Sequence, residues 1–267
     1  MFDRKIEALA QRIREVASTG KPPVNLDAIA EYDGILLVPV TNHQNFNGKL
    51  EFLPEENTFI IFHPDPATYP YPNRLRFSIA HELGHYHIDE HRKALVRGET
   101  HSSEPGFRSK NAKEMQADEF AAALLIPADT IEPIIGKRGF MTLEEILTLG
   151  ETCKTSPYAT TIRYVRMASE PCFVTLARRG EIRSSFSSDE ARIRRFGKIS
   201  IKTLPTTSPG HALAQDSGSG EVTDRKHNAS PWFGREDDTT LWESCVHIGE
   251  GYTLSLVSIE LDEDDED

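Results

Sequence analysis

Cysteine is scarce in this chain of 267 residues, and the little there is lies scattered. Cys153, Cys172 and Cys245 are odd in number, far apart, and form no CxxC pair. That pattern argues against a disulfide framework and against a zinc–thiolate site, and leaves free thiols in a reducing cytoplasm as the expectation. Long apolar runs are missing too. None approaches the roughly 20 residues that span a bilayer, so no membrane association is expected. The N-terminus, "MFDRKIEALAQRIREVASTG", lacks the unbroken apolar core of a signal peptide. It reads instead as an amphipathic helix with Ile6, Leu9, Ala10, Ile13 and Val16 on one face. Basic charge is in deficit: 30 Lys and Arg against 42 Asp and Glu give a formal charge of −12. Such a balance opposes general nucleic-acid binding by the chain as a whole. No internal repeat is visible.

What remains is a globular composition, 38% hydrophobic and 27% charged, long enough for one large domain or two ordinary ones. Charge is uneven along it. Seven of the last eight residues are acidic, and 261–267 reads as a solvated, disordered tail. Residues 178–202 carry eight Lys/Arg against three Asp/Glu, a solvated face or a contact surface.

After the first helix, Asn25 or Asp27 caps a short second helix to about Tyr32, closed by Gly34. "ILLVPV" (35–40), "KLEFL" (49–53) and "TFIIFH" (58–63) read as strands, the last two as a hairpin. A helix is predicted from near Asn73, with Leu75, Ile79, Ala80 and Leu83 inward. A loop of about twenty residues, 91–110, follows it, and a further helix starts at Asn111 and runs to Pro127. Thr142 and Glu145 form a capping box, and Ser156-Pro157 opens the next helix. From Pro171 the texture changes to β-like runs, "CFVTLA", "EIRSSFS", "GKISIKTL", "SCVHIG" and "YTLSLVSIEL", with 205–231 as a flexible loop. These features divide the chain into 1–168, including a helical pair at about 141–168, and a β-rich domain at 171–260.

The chemistry gathers in "RFSIAHELGHYHIDEH", Arg76 to His91, which holds four of the ten histidines. On a helix, His81 and His85 project from one face a turn apart and can share one ion. Glu82 beside them can take a proton from water activated by that ion, the arrangement of a zinc peptidase. Gly84 permits close packing on the opposite side. A catalytic site needs a third ligand, and His87, His91, His101, Glu104, Glu114, Asp118 and Glu119 are candidates. His91 stands six residues beyond His85, as in the extended HExxHxxGxxH pattern, but Ile88 replaces its turning glycine. Glu114 and Asp118 share a face of the next helix, so one can bind the ion while the other orients a histidine. Spacing alone leaves the choice open, since Glu114 also fits a capping box with Asn111. The oxyanion partner is equally open among Tyr86, His101, Tyr158 and Tyr164. The strand "TFIIFH" is a candidate to offer its edge to a substrate peptide.

"RFSIAHELGHYHID" followed by "EMQADEFAAALLIP" resembles the ImmA/IrrE family of bacterial metallopeptidases, with "PPVNLDAIAEYDGILLVPV" matching its lead-in. The resemblance covers about residues 1–170. It implies an α+β, zincin-like peptidase domain of helices and a small mixed sheet. It further implies one zinc ion on His81, His85 and Glu114, with Glu82 catalytic and Asp118 supporting a ligand histidine. Manganese or another divalent ion also suits such a set. The implied substrate is a partner repressor with a helix-turn-helix domain. The implied role is derepression of stress, DNA-damage or mobile-element genes. Some members carry a C-terminal GAF-like sensor, for which 171–260 is the candidate counterpart here. Two readings of another class compete: a DNA-binding regulator using 143–167, where Arg163 and Arg166 share a face, and a sensor with a structural zinc.

Overall fold

The computed structural model describes residues 3–17, 20–41, 47–99, 111–194, 196, 199–215, 220–233 and 239–260. Among them are eleven helices and two sheets, a mixed α+β architecture. By Cα proximity they form two compact units, Asp3–Ala128 with Glu151–Ser156, and Asp129–Gly150 with the described residues from Pro157 on. The expected cut was at 168–171. The acidic tail and the segment with His101 and Glu104 lie outside the described residues.

In the first unit, helix α1 (Arg4–Ala17) buries Ile6, Ala10 and Arg14. Val16, expected on the same face, is 52% exposed. Asn25 caps α2 (Leu26–Asp33), its side chain accepting from Ala28 N at 3.2 Å, and Gly34 ends it at φ 68°. That left-handed geometry is one a glycine adopts without steric cost. Strands β1 (Leu36–Val40), β2 (Lys49–Leu53) and β3 (Thr58–Pro64) make a small mixed sheet in the order β1-β3-β2. The β2–β3 hairpin falls where it was expected, but β3 is the central strand, parallel to β1 and antiparallel to β2. The expectation that "TFIIFH" offers a free edge therefore fails, because both its edges are hydrogen-bonded. The edge strand facing β3 across the hairpin is β2.

Helix α3 (Pro72–His87) starts at a proline in its first turn, without a side-chain cap. Asn73, expected as the cap, instead donates through Nδ2 to Thr155 O at 3.1 Å. Leu75, Ile79, Ala80 and Leu83 are all buried, as their spacing requires. The predicted loop after it begins with a helix, α4 (Asp89–Val96), which buries His91, Ala94 and Leu95. Its apolar face is too short to announce itself. Asn111 caps α5 (Ala112–Leu125), accepting from Lys113 N at 3.0 Å.

The second unit opens with α6 (Ala128–Arg138), which the sequence reading left out, and most of α7 (Leu143–Cys153). The capping box is formed: Thr142 N donates to Glu145 Oε2 at 2.9 Å, and Glu145 N to Thr142 Oγ1 at 3.3 Å. Helix α8 (Pro157–Met167) follows Ser156. Next come β4 (Cys172–Arg178), β5 (Glu181–Ser187), α9 (Asp189–Ile193), α10 (Pro209–Gln215), β6 (Thr223–Asn228), α11 (Ser230–Phe233), β7 (Thr240–His247) and β8 (Tyr252–Ile259). The sheet is wholly antiparallel, in the order β5-β4-β8-β7-β6. Strands β4 and β8 are buried almost continuously, which requires cover on both faces. On one face Phe173, Leu241, Val257 and Ile259 pack with Trp232 and Phe233.

Two expectations are corrected in this unit. "GKISIKTL" forms no strand among its described residues, only an isolated bridge from Thr203 to Glu181. The supposed flexible loop 205–231 holds α10 and β6. Strand β6, "TDRKHN", is an exposed edge strand with no apolar alternation, and it exists through pairing with β7. All three cysteines are free and buried, as expected. Burial lifts the Cys153 thiol to about 11 and raises those of Cys172 and Cys245, so none is poised to react.

Candidate metal centre

Helices α3 and α5 supply the site. The motif "HELGH" sets His81 and His85 one turn apart on α3, with both rings buried. Glu114 stands in the first turn of α5, and Asp118 follows one turn later. The helices meet closely because Gly84 has no side chain. A Cβ there would lie 3.1 Å from Phe120 Cδ1 and 3.2 Å from the Ala117 backbone. The glycine allows close packing as expected, but its partner is α5, the helix that carries Glu114 to the histidines, and not an element on the opposite side.

Three side chains converge across that contact. His81 Nε2 lies 3.3 Å from Glu114 Oε2, and His85 Nε2 lies 3.5 Å from Glu114 Oε1. The two imidazole Nε2 atoms are 3.1 Å apart. Among the described residues, His81, His85 and Glu114 are the group of three whose ligand atoms all lie within 4.8 Å of one another. His81 Nδ1 donates to Asp118 Oδ1 at 2.9 Å, which turns its Nε2 lone pair toward Glu114 and His85. Electron-rich atoms gathered this tightly in a buried place need positive charge at their centre, as a proton or a metal ion. The same demand appears in the titration of His81. Burial pulls its pKa down, but the Asp118 and Glu114 carboxylates outweigh that and hold it up at about 10. The donor set fits a divalent ion: two imidazoles and a carboxylate are three protein ligands, the number that leaves a catalytic zinc an open position.

Glu82 is fully buried beside the cluster. Gly48, at the start of β2, passes so near that a Cβ there would lie 3.0 Å from Glu82 Oε1. The sequence reading gave Gly48 no role, and only the strand's path reveals it. Of the other candidate ligands, His87, His91 and Glu119 are engaged elsewhere. His87 Nε2 is 2.9 Å from Asp33 Oδ2, and its ring stacks on Phe120. His91 Nε2 is 3.0 Å from Gln116 Oε1, with its ring 4.9 Å from that of His85. Glu119 accepts from Asp3 N at 2.7 Å. Of the oxyanion candidates, the Tyr86 hydroxyl donates to Asp33 O at 3.5 Å and that of Tyr164 to Glu170 at 2.7 Å. Tyr158 is buried in the second unit, and His101 lies outside the described residues.

Comparisons with known proteins agree with the geometry. No curated protein matches the chain in sequence. In fold, the chain is similar to a solved structure described as a Mycobacterium tuberculosis transcriptional regulator. The TM-score is 0.59 at 14% identity, over 97% of this chain and 77% of that one. Residues 68–154, which span α3 through α7, match the Peptidase_M78 family, described as IrrE N-terminal-like domain. The stretch that carries both histidines and the glutamate thus matches the IrrE N-terminal-like domain, in line with the resemblance.

Proposed function

We propose that the protein is a zinc-dependent endopeptidase that cleaves a partner repressor carrying a helix-turn-helix domain, and so switches on stress, DNA-damage or mobile-element and defence genes. One observation carries the reading: His81, His85 and Glu114 converge next to a buried Glu82, inside a segment that matches a peptidase family. In this reading His81, His85 and Glu114 hold the ion, and Asp118 fixes the His81 ring and tautomer through Nδ1. Bound there, zinc supplies Lewis acidity, polarising the scissile carbonyl and lowering the pKa of water toward neutrality. Glu82 acts as the base: it accepts the proton released as water attacks and passes it to the leaving amine. Its burial keeps the carboxylate desolvated and ready to accept. Residues 1–168 serve as the peptidase domain in the functional sense, and 171–260 as a GAF-like sensor. The single antiparallel sheet covered on both faces supports the latter. A cytoplasmic setting suits the free thiols, and no helix among the described residues is long and apolar enough to cross a membrane.

The competing reading, a DNA-binding regulator without peptidase activity, draws on the fold likeness to a transcriptional regulator. Its two arginines are poorly placed for it. Arg163 is 1% exposed, and the Arg166 guanidinium lies over the Phe186 ring at 5.1 Å. Glu82→Gln separates the two. The variant is expected to keep stoichiometric zinc while cleavage of the partner repressor falls about 100- to 10,000-fold, the span of general-base catalysis. Undiminished cleavage removes Glu82 from the mechanism. A wild-type protein that cleaves nothing but binds specific DNA at moderate salt establishes the regulator.

A further inference from the structure

Strand β2 leads away from Glu82 to a second feature of the first unit. Gly48, Leu50 and Phe52 alternate onto one face of the strand. Gly48 lies against Glu82, and Leu50 is buried. Phe52 sits 4.9 Å, ring to ring, from Phe59, which meets Tyr86 edge-on at 5.1 Å. Tyr86 is one helical turn beyond Glu82 on α3. The face of β2 therefore follows α3 from the carboxylate to a cleft of about 530 Å³. Phe52, Phe59 and Tyr86 line the cleft together with Arg92, Lys93 and Arg97 of α4 and the turn after it.

Resting on the peptidase reading above, we propose that this cleft is a specificity pocket. It selects substrate segments that carry an aromatic or large apolar residue with acidic neighbours, about four residues from the bond cleaved. The spacing follows from the strand. From Gly48 to Phe52 an extended chain rises about 13 Å, and a peptide paired with β2 advances at the same rate. Strand β2 has β3 on one side only among the described residues, so its other edge can take such a peptide through main-chain hydrogen bonds. The aromatic floor gives an inserted ring or branched side chain its contact area. The charge comes from α4. In a chain of net charge −12, three cations stand within six residues at one cleft. Arg92 lies over the Tyr86 ring at 5.4 Å and pairs with Asp89; Arg97 pairs with Glu99. Both pairs are exposed, and exposed pairs are held weakly, so a substrate carboxylate competes with them. Lys93 has no ion-pair partner among the described residues. Asp33, also in the lining, is turned to His87.

The test uses zinc-loaded full-length Glu82→Gln protein, so that binding is read apart from cleavage. Fluorescence anisotropy compares labelled Gly-Gly-Asp-Phe-Glu-Gly-Gly with Gly-Gly-Lys-Phe-Lys-Gly-Gly. The acidic peptide is expected to bind about tenfold more tightly at low salt, and the preference to shrink at high salt. Adding Lys93→Glu and Arg97→Glu should erase the preference while zinc content stays the same. If that pair disturbs folding, the exposed Lys93→Glu alone should reduce it. In parallel, wild-type protein is incubated with a proteome-derived peptide mixture, and mass spectrometry should find acidic and aromatic residues enriched about four positions from the cuts. Equal binding of the two peptides, or a preference that survives the charge reversals, overturns the proposal. So does a labelled oligothymidine that displaces the acidic peptide, which would make the cleft a nucleic-acid site. If wild type cuts no peptide yet the binding preference holds, the pocket's selectivity stands and the peptidase reading falls.

Discussion

Two clusters in this molecule set a glutamate against histidine, and they are built to opposite ends. In the first unit, Glu114 faces two imidazoles whose Nε2 atoms stand 3.1 Å apart. In the second, Glu243 of β7 is fully buried, yet each of its oxygens is answered. Oε1 accepts from Ser208 Oγ at 2.8 Å and Ser255 Oγ at 3.0 Å, while Oε2 is 3.1 Å from His227 Nε2. Gly210 of α10 closes over that node so tightly that a Cβ would come within 2.8 Å of Ser255 Oγ. One cluster gathers two imidazole nitrogens and a carboxylate around one point, and so calls for a cation. The other matches donors to acceptors and leaves no space, and so holds α10 to its sheet. Residue types alone do not separate a metal site from a polar clasp; the balance of donors and acceptors does.

Mutations can break that contrast, beginning with the largest effect. Glu114→Ala should lose zinc on dialysis, whereas His91→Ala should retain it, since His91 is occupied with Gln116. Zinc content by atomic absorption decides, and unchanged zinc in Glu114→Ala would sink the assignment. Asp118→Asn keeps the shape but weakens the hold on His81 Nδ1, and competition with a chromogenic chelator should show zinc affinity reduced about 10- to 100-fold. Glu243→Gln should leave zinc untouched and lower the unfolding free energy by about 1–3 kcal/mol, the cost of disturbing buried hydrogen bonds. Denaturant titration with zinc assay on the same sample checks both halves.

The smallest effect sharpens the comparison with a third, partly buried carboxyl. Burial raises the pKa of Glu170, and the hydrogen bond from Tyr164 only partly offsets it. A carboxyl whose folded pKa lies above its unfolded value, about 4.3, favours the folded state while protonated. That stability is present at acid pH and is lost as pH rises through the folded pKa. Glu170→Gln should therefore be slightly more stable than wild type at pH 7, by up to about 1 kcal/mol, with a flatter pH dependence above pH 4. Thermal melts across pH 4–8 would show it, and a variant no more stable at pH 7 would contradict the sign.

Local signals were readable from the sequence and long-range ones were not. Asn25, Asn111 and the Thr142–Glu145 box act within three residues, so spacing alone exposed them. The His81–His85 pair needs only one helical turn. That Glu114 meets them depends on how α3 crosses α5, and it was reached through a family likeness rather than through spacing. Strand order is a property of the whole sheet, which is why β3 was mistaken for an edge. Strand β6 has polar residues on both faces and is defined by β7, about fifteen residues away, so no pattern within it could reveal it. Helix α4 hid for want of length, with three buried side chains on eight residues.

The hydrogen atom at Gly84 reaches further than packing. It sets how near α5 comes to α3, and so how wide the gap is between two nitrogens and a carboxylate. A methyl group there would need neighbours to give way by a few tenths of an ångström. The smallest side chain in the motif thus helps set the spacing of the group that could hold a metal.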